Sequence, residues 1–264
     1  LGTHQVKELI EAAKCSIFFI DEDQRVTLKD VGSKEIIRKF AAERNAEVEE
    51  YSLTSQFRCA GSDGYLAWVD HTLQIRTTAN PSLADIPFDF QVFDDPSDLH
   101  KAIETKNANN RARVVAGYCW PWNSKKNPKL MDVVIGDYER QWNLDQDGSL
   151  WIVAPNSVPQ VGCIHTCQGL EVDYVGVIIG PDLTIMGDTL VAVPRARDRH
   201  DKTMKGFVKM TKEQPAEAAR LAESIIKNTY RTLMTRGMKG CYVYATDAKL
   251  RAYLREHSAI PASH

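Results

Sequence analysis

Apolar positions follow two rhythms along the chain, and they alternate from one end to the other. Residues 6–13 pattern as a short amphipathic helix. Residues 16–20 form an apolar, β-branched and aromatic run that stops abruptly at Asp21-Glu22-Asp23-Gln24. That pattern predicts a buried parallel strand with carboxylates at its end. Residues 33–44 predict a helix capped by Ser33, with Ile36, Ile37 and Phe40 on one face. Further strands are predicted at 48–53, 90–93, 112–118, 174–179 and 241–245. Further helices are predicted at 64–73, 97–106 (Ser97 as cap), 213–236 and 248–256. Pro215 suits the first turn of the long helix, and Gly237 ends it. Residues 120–147 read as polar and irregular, and 195–212 as charged and mobile. Alternating strands and helices imply an α/β fold with a mainly parallel sheet flanked by helices. In such sheets ligands bind beyond the carboxyl ends of the strands, where each motif below is expected to fall.

Composition narrows the picture only a little. The chain has 264 residues, 43% hydrophobic and 26% charged, which is ordinary for a soluble protein. A net charge of -2 gives no global attraction for nucleic acid, so such binding needs a local basic surface. The six cysteines contain no CxxC pair, which suits free thiols in a reducing cytoplasm. No apolar run approaches the roughly 20 residues that span a bilayer, so no membrane is expected as a partner.

Four segments carry candidate chemistry. Phe18-Phe19-Ile20-Asp21-Glu22-Asp23-Gln24 is a strand ending in Asp-Glu, the Walker B arrangement. Asp21 can bind Mg²⁺, Glu22 can polarise an attacking water and Gln24 can sense the γ-phosphate. The same letters also suit a strand with an acidic turn. Leu53-Thr54-Ser55-Gln56-Phe57-Arg58 offers one guanidinium fork after a strand, suited to phosphate oxygens or to an ion pair. His165-Thr166-Cys167-Gln168-Gly169-Leu170-Glu171 is a polar loop with a central glycine before a strong strand. Cys163, His165 and Cys167 alternate as zinc ligands on one strand would, but a fourth ligand is wanting. On the long helix, Ala222, Ile225, Ile226, Thr229 and Leu233 form a core stripe. Asn228, Arg231 and Thr235 line another face, and Arg236 lies at the helix end, where a cation also suits the dipole.

In this order the four segments resemble motifs of superfamily 1 helicases. The Asp-Glu-x-Gln box is similar to motif II, Gln56-Phe57-Arg58 to motif IV, His165 to Glu171 to motif V, and Tyr230 to Arg236 to motif VI. The whole chain more closely resembles a bacterial family of uncharacterised helicase-like proteins related to the Schlafen helicase-like domain. That likeness rests on Gln56-Phe57-Arg58-Cys59, Ala116-Gly117-Tyr118-Cys119-Trp120, the His165 segment and Leu233 to Gly240. The resemblance implies a RecA-like P-loop NTPase fold using ATP and Mg²⁺. Residues 1–47 would end a first RecA-like domain, and 48–264 would be the second. It implies Asp21, Glu22, Gln24, Arg58 and Arg236 as catalytic, with Asp21 on the metal. Gln56, Gly169, Glu171 and Arg231 would flank the nucleotide.

One element of that family's equipment is missing from the sequence. No G-x-x-x-x-G-K-[ST] occurs, since Gly32-Ser33-Lys34 has the wrong order. The resemblance places a P-loop segment upstream of the Asp-Glu box, as a partner before Leu1. The 264 residues alone are therefore expected neither to hold ATP tightly nor to hydrolyse it. Single-stranded DNA or RNA is the implied partner, met by Trp120, Trp122, His165 and Thr166, with Lys125 and Lys126 nearby. Arg195, Arg197, Arg199, Lys202, Lys205 and Lys209 form a second basic stretch, which also reads as a solvated loop. The two tryptophans equally suit core packing. A nucleic-acid-dependent ATPase and a non-catalytic RecA-like interaction module thus remain as the two function classes.

Overall fold

The computed structural model describes residues 4–21, 25–27, 32–51, 59, 62–143, 151–152, 154–167 and 171–259. In chain order it builds α1 (Gln5–Ala12), α2 (Lys34–Ala42), α3 (Asp63–Thr72), β1 (Asp89–Val92), α4 (Pro96–Thr105) and β2 (Ala112–Ala116). An antiparallel hairpin follows, β3 (Val133–Ile135) and β4 (Tyr138–Arg140), then β5 (Val161–Gly162), α5 (Ile164–Cys167) and β6 (Val172–Ile179). A second hairpin, β7 (Leu183–Met186) and β8 (Thr189–Ala192), leads to α6 (Phe207–Glu213) and the long α7 (Pro215–Met234). β9 (Gly237–Ala245) and α8 (Ala248–Ser258) close the described chain.

The central sheet has five strands in the order β1-β9-β6-β2-β5, and every pairing is parallel. Both faces are covered, so each strand needs apolar residues on both sides. Val175, Val177 and Ile179 of β6 lie beside Cys241, Val243 and Ala245 of β9. They pack with Trp68, Ile226, Leu233, Leu250 and Leu254 in one core. The alternate residues Val114, Ile178, Tyr242 and Tyr244 face the other core, with Leu99 and Ile103 of α4 and Val133, Tyr138 and Trp142. No helix of the described residues is long and apolar enough to cross a membrane.

Several expectations are corrected. The run at 16–20 lies outside any strand or helix, with Ile17 78% and Phe19 84% exposed. No described strand lies beside it, so it lacks the neighbours that would bury a central strand. Residues 48–51 are likewise outside any strand, with Tyr51 exposed. The cap of α4 is Asp95, whose Oδ1 accepts from the Ser97 N–H at 2.6 Å, with Pro96 in the first turn. Both hairpins turn on a Gly-Asp pair, at Gly136 (φ 57°) and Gly187 (φ 59°). A left-handed glycine opening a two-residue turn matches the twist of the strands.

The second core holds a titratable group. His100 of α4 is buried, with Nδ1 2.8 Å from the Tyr138 hydroxyl and Nε2 3.0 Å from the Val158 carbonyl. In the neutral ring Nε2 donates to the carbonyl and Nδ1 accepts from the hydroxyl. Burial lowers the imidazole pKa from its ordinary 6.5. As pH falls below about 6.5, the unfolded chain takes up the proton before the folded one, so stability declines. Urea unfolding is expected to give a stability at pH 5.5 that is lower than at pH 7.5 by up to about 1.4 kcal/mol from this group. His100→Gln should shrink the difference. An undiminished difference in that variant would assign it to other groups.

Candidate functional site

The long α7 was expected to show the core one stripe. Instead every residue from Ile225 to Met234 is buried, including Lys227, Asn228, Thr229, Arg231 and Thr232. Its polar face meets other segments of the chain, among them the candidate motifs. The Asn228 amide donates to the Arg25 carbonyl at 3.1 Å, which brings the chain just after the Asp-Glu box onto the helix. Val26 beside it is sealed into the core. The Cys59 thiol approaches the Thr235 carbonyl at 3.8 Å, and the Tyr65 hydroxyl donates to the Met234 carbonyl at 3.1 Å. Residue 59, the immediate neighbour of Arg58, therefore sits against the end of α7.

Arg236 follows that helix and directly precedes β9. It is 2% exposed, and its Nε donates to the Thr232 carbonyl at 3.1 Å. Its carbonyl accepts from Val172 N at 3.0 Å, joining it to the start of β6. α5 packs against α7, and burial pushes the Cys167 thiol up to about 12. Arg231 is paired with Asp70 of α3, which also takes Arg76 Nε at 3.1 Å. Arg231 thus ties α7 to α3 in this structure.

Asp21 is exposed at the end of the unpaired run, and Glu171 is exposed just before β6. Glu22, Gln24, Gln56, Arg58 and Gly169 lie outside the described residues. The expectation that every motif falls at a carboxyl end is corrected: Glu171 and Arg236 flank the amino ends of β6 and β9. The cause is connectivity, because both motifs lead into a strand rather than out of one.

His165 is exposed, whereas Cys163 and Cys167 are buried, so the three do not converge. The segment is the short helix α5, which breaks the alternation a strand would give. Thr166 shapes its start: Oγ1 donates to the Cys163 carbonyl at 2.8 Å and accepts from Cys163 N at 3.0 Å. Trp120 and Trp122 are half-buried beyond the carboxyl end of β2. They surround Trp142, on which Tyr118 stacks at 5.4 Å. Trp120 Nε1 donates to the Val134 carbonyl at 3.2 Å, and Lys125 Nζ sits 3.9 Å over the Trp122 ring. The tryptophans thus have a packing role as well as an open edge.

A buried network at the carboxyl end of β6 was missed. Arg197, expected in a mobile stretch, donates through Nε to Asp182 at 2.9 Å and through Nη1 to Asp201 at 2.8 Å and Thr203 at 2.7 Å. Its Nη2 reaches Thr229 of α7 at 3.2 Å. Tyr230 donates to the other Asp182 oxygen and accepts from Gly180 N at 2.9 Å. A Cβ on Gly117 would fall 2.1 Å from that hydroxyl, which explains the glycine of Ala116-Gly117-Tyr118. Only the Arg197/Asp201 spacing hinted at this from sequence.

The model of the Schlafen group 3 DNA/RNA helicase domain matches residues 1–247. The uncharacterized protein YPL245W of Saccharomyces cerevisiae is 27% identical over 277 aligned residues, which cover 96% of this chain. The chain spans 59% of the length of that relative. A family match over nearly the whole length places the chain in the Schlafen group 3 DNA/RNA helicase domain family.

Proposed function

We propose that this chain is part of a nucleic-acid-dependent ATPase that couples ATP hydrolysis to movement along, or remodelling of, single-stranded DNA or RNA. In this reading residues 48–264 are a second RecA-like lobe, and 1–47 end the first. A P-loop segment of the same protein completes the phosphate cradle. The observation that supports the reading is the gathering of chain beside the motif segments on α7: Arg25 at Asn228, Cys59 at Thr235 and α5 packed against the helix. A binding module has no need to hold residues 25 and 59, which flank the acidic box and Gln56-Phe57-Arg58 in sequence, on one helix.

Asp21 would hold Mg²⁺, and Glu22 would polarise the attacking water. Gln24, Arg58 and Arg236 would meet the γ-phosphate, with Gln56, Gly169, Glu171 and Arg231 around the nucleotide. Bound Mg²⁺ supplies charge neutralisation on the transferred phosphoryl group. Trp120, Trp122, His165 and Thr166 would contact the strand.

The test is ATP turnover by the full-length protein with and without single-stranded DNA or RNA. Stimulation by a strand is the expected result; no turnover under any condition overturns the reading. The burial of Arg236 and the pairing of Arg231 with Asp70 favour the second reading, a non-catalytic RecA-like interaction or nucleic-acid-binding module. Oligonucleotide binding without turnover would establish that one.

A further inference from the structure

A cleft of about 460 Å³ opens between three segments distant in sequence. It is lined by Thr27, His165 of α5, and Lys202, Thr203 and Lys205. Among the described residues the lining brings two ammonium groups and an imidazole together, and no carboxylate. Lys202 and Lys205 are exposed, and neither makes an ion pair with a described carboxylate. The acidic residues nearest in sequence are engaged elsewhere: Asp201 with Arg197, and Asp198 with His200.

The lysine wall is held in place. Asp201 Oδ1 accepts from Thr203 N at 2.9 Å, and Oδ2 accepts from the Thr203 hydroxyl at 2.7 Å. Arg197 bonds both residues and reaches Thr229 of α7. The opposite wall hangs from the preceding residue of the same helix, since Asn228 bonds the Arg25 carbonyl two positions before Thr27. Neighbouring residues of α7 thus fix both sides of the cleft. A fixed, cation-lined gap with no carboxylate among its described lining residues suits a phosphate ester.

We propose that this cleft takes a backbone phosphate of a single strand, contacted by Lys202 and Lys205 across from Thr27, with Arg197 as the residue that positions the lysine wall. This rests on the reading of the protein as a nucleic-acid-dependent ATPase and assigns that reading a contact outside its four motif segments. A nucleotide phosphate offers the same chemistry, and the experiment separates the two sources.

The experiment measures fluorescence anisotropy of a labelled single-stranded 12-mer with the full-length protein across a salt series, beside titration with a fluorescent ATP analogue. For Lys202→Ala/Lys205→Ala the expected result is roughly tenfold weaker oligonucleotide binding at 0.1 M salt and a log–log salt slope shallower by about 1.4, with the ATP analogue unaffected. Lys202→Arg/Lys205→Arg should restore both, which separates lost contact from lost folding. Wild-type strand binding that the alanine pair leaves unchanged overturns the cleft assignment and spares the ATPase reading. Loss of the ATP analogue alone assigns the cleft to the nucleotide and overturns the strand contact. No strand binding by the wild type overturns both.

Discussion

Arg236→Ala in the full-length protein is expected to lower strand-stimulated ATP turnover by at least about 10³-fold, while ATP affinity changes by less than about tenfold. An arginine that meets the transferred phosphoryl group stabilises charge that grows only in the transition state, and removing it typically costs 10³–10⁵ in rate. A loss of about 10³-fold corresponds to about 4 kcal/mol of transition-state stabilisation. Arg236 is also packed under the end of α7, so the variant's unfolding midpoint must be measured beside its kinetics. Arg236→Lys keeps the charge but not the planar fork, and should recover only part of the rate. Full turnover in the alanine variant would remove Arg236 from the proposed chemistry.

Arg197→Met is expected to destabilise the chain by about 3–5 kcal/mol, lowering the thermal midpoint by about 10 °C. The size follows from what stays behind. Asp182 is fully buried and Asp201 nearly so, and Arg197 is the cation between them. Removing it leaves two carboxylates in a medium that solvates them poorly. The triple variant Arg197→Met/Asp182→Asn/Asp201→Asn should recover part of the loss, because it removes the orphaned charges as well. Chemical denaturation of the three proteins decides the matter. A single variant as stable as the parent would mean that water or a rearranged side chain reaches the site.

The parts of this fold legible in the sequence are those where one local rule dominates. The apolar run of β6 carries its own signal and the structure places the strand there, whereas Gly237, expected to end the long helix, opens β9, and the helix stops at Met234. α3 and α8 likewise appear near their predicted bounds. The Gly-Asp turns at Gly136 and Gly187 were equally local, and their hairpins could have been read from them. What stayed hidden depends on distant partners. Asn228 and Arg231 lie off the core stripe by periodicity, yet they are covered by residue 25 and α3. Arg197 looked like one more cation in a charged loop, because its partner Asp182 lies on the far side of a hairpin. The run at 16–20 has the composition of a buried strand, but composition cannot supply a neighbouring strand.

The candidate site divides along the same line. That residues 25 and 59 and α5 reach α7 needed the structure, as did the amino-end location of Glu171 and Arg236. Trp120 and Trp122 show why aromatic content alone decides little. The same rings that present an edge outward also pack around Trp142.

Asn228 and Thr229 have a mechanical consequence. Successive residues of an α-helix point about 100° apart around its axis. These two grip separate stretches of chain, one leading to Thr27 and the other to Thr203. Any roll of α7 is therefore transmitted to both stretches at once, through one short hydrogen-bonded link to residue 25 and one through a guanidinium. The helix that precedes Arg236 works as a yoke, and a small roll of it would reset the gap between the two stretches.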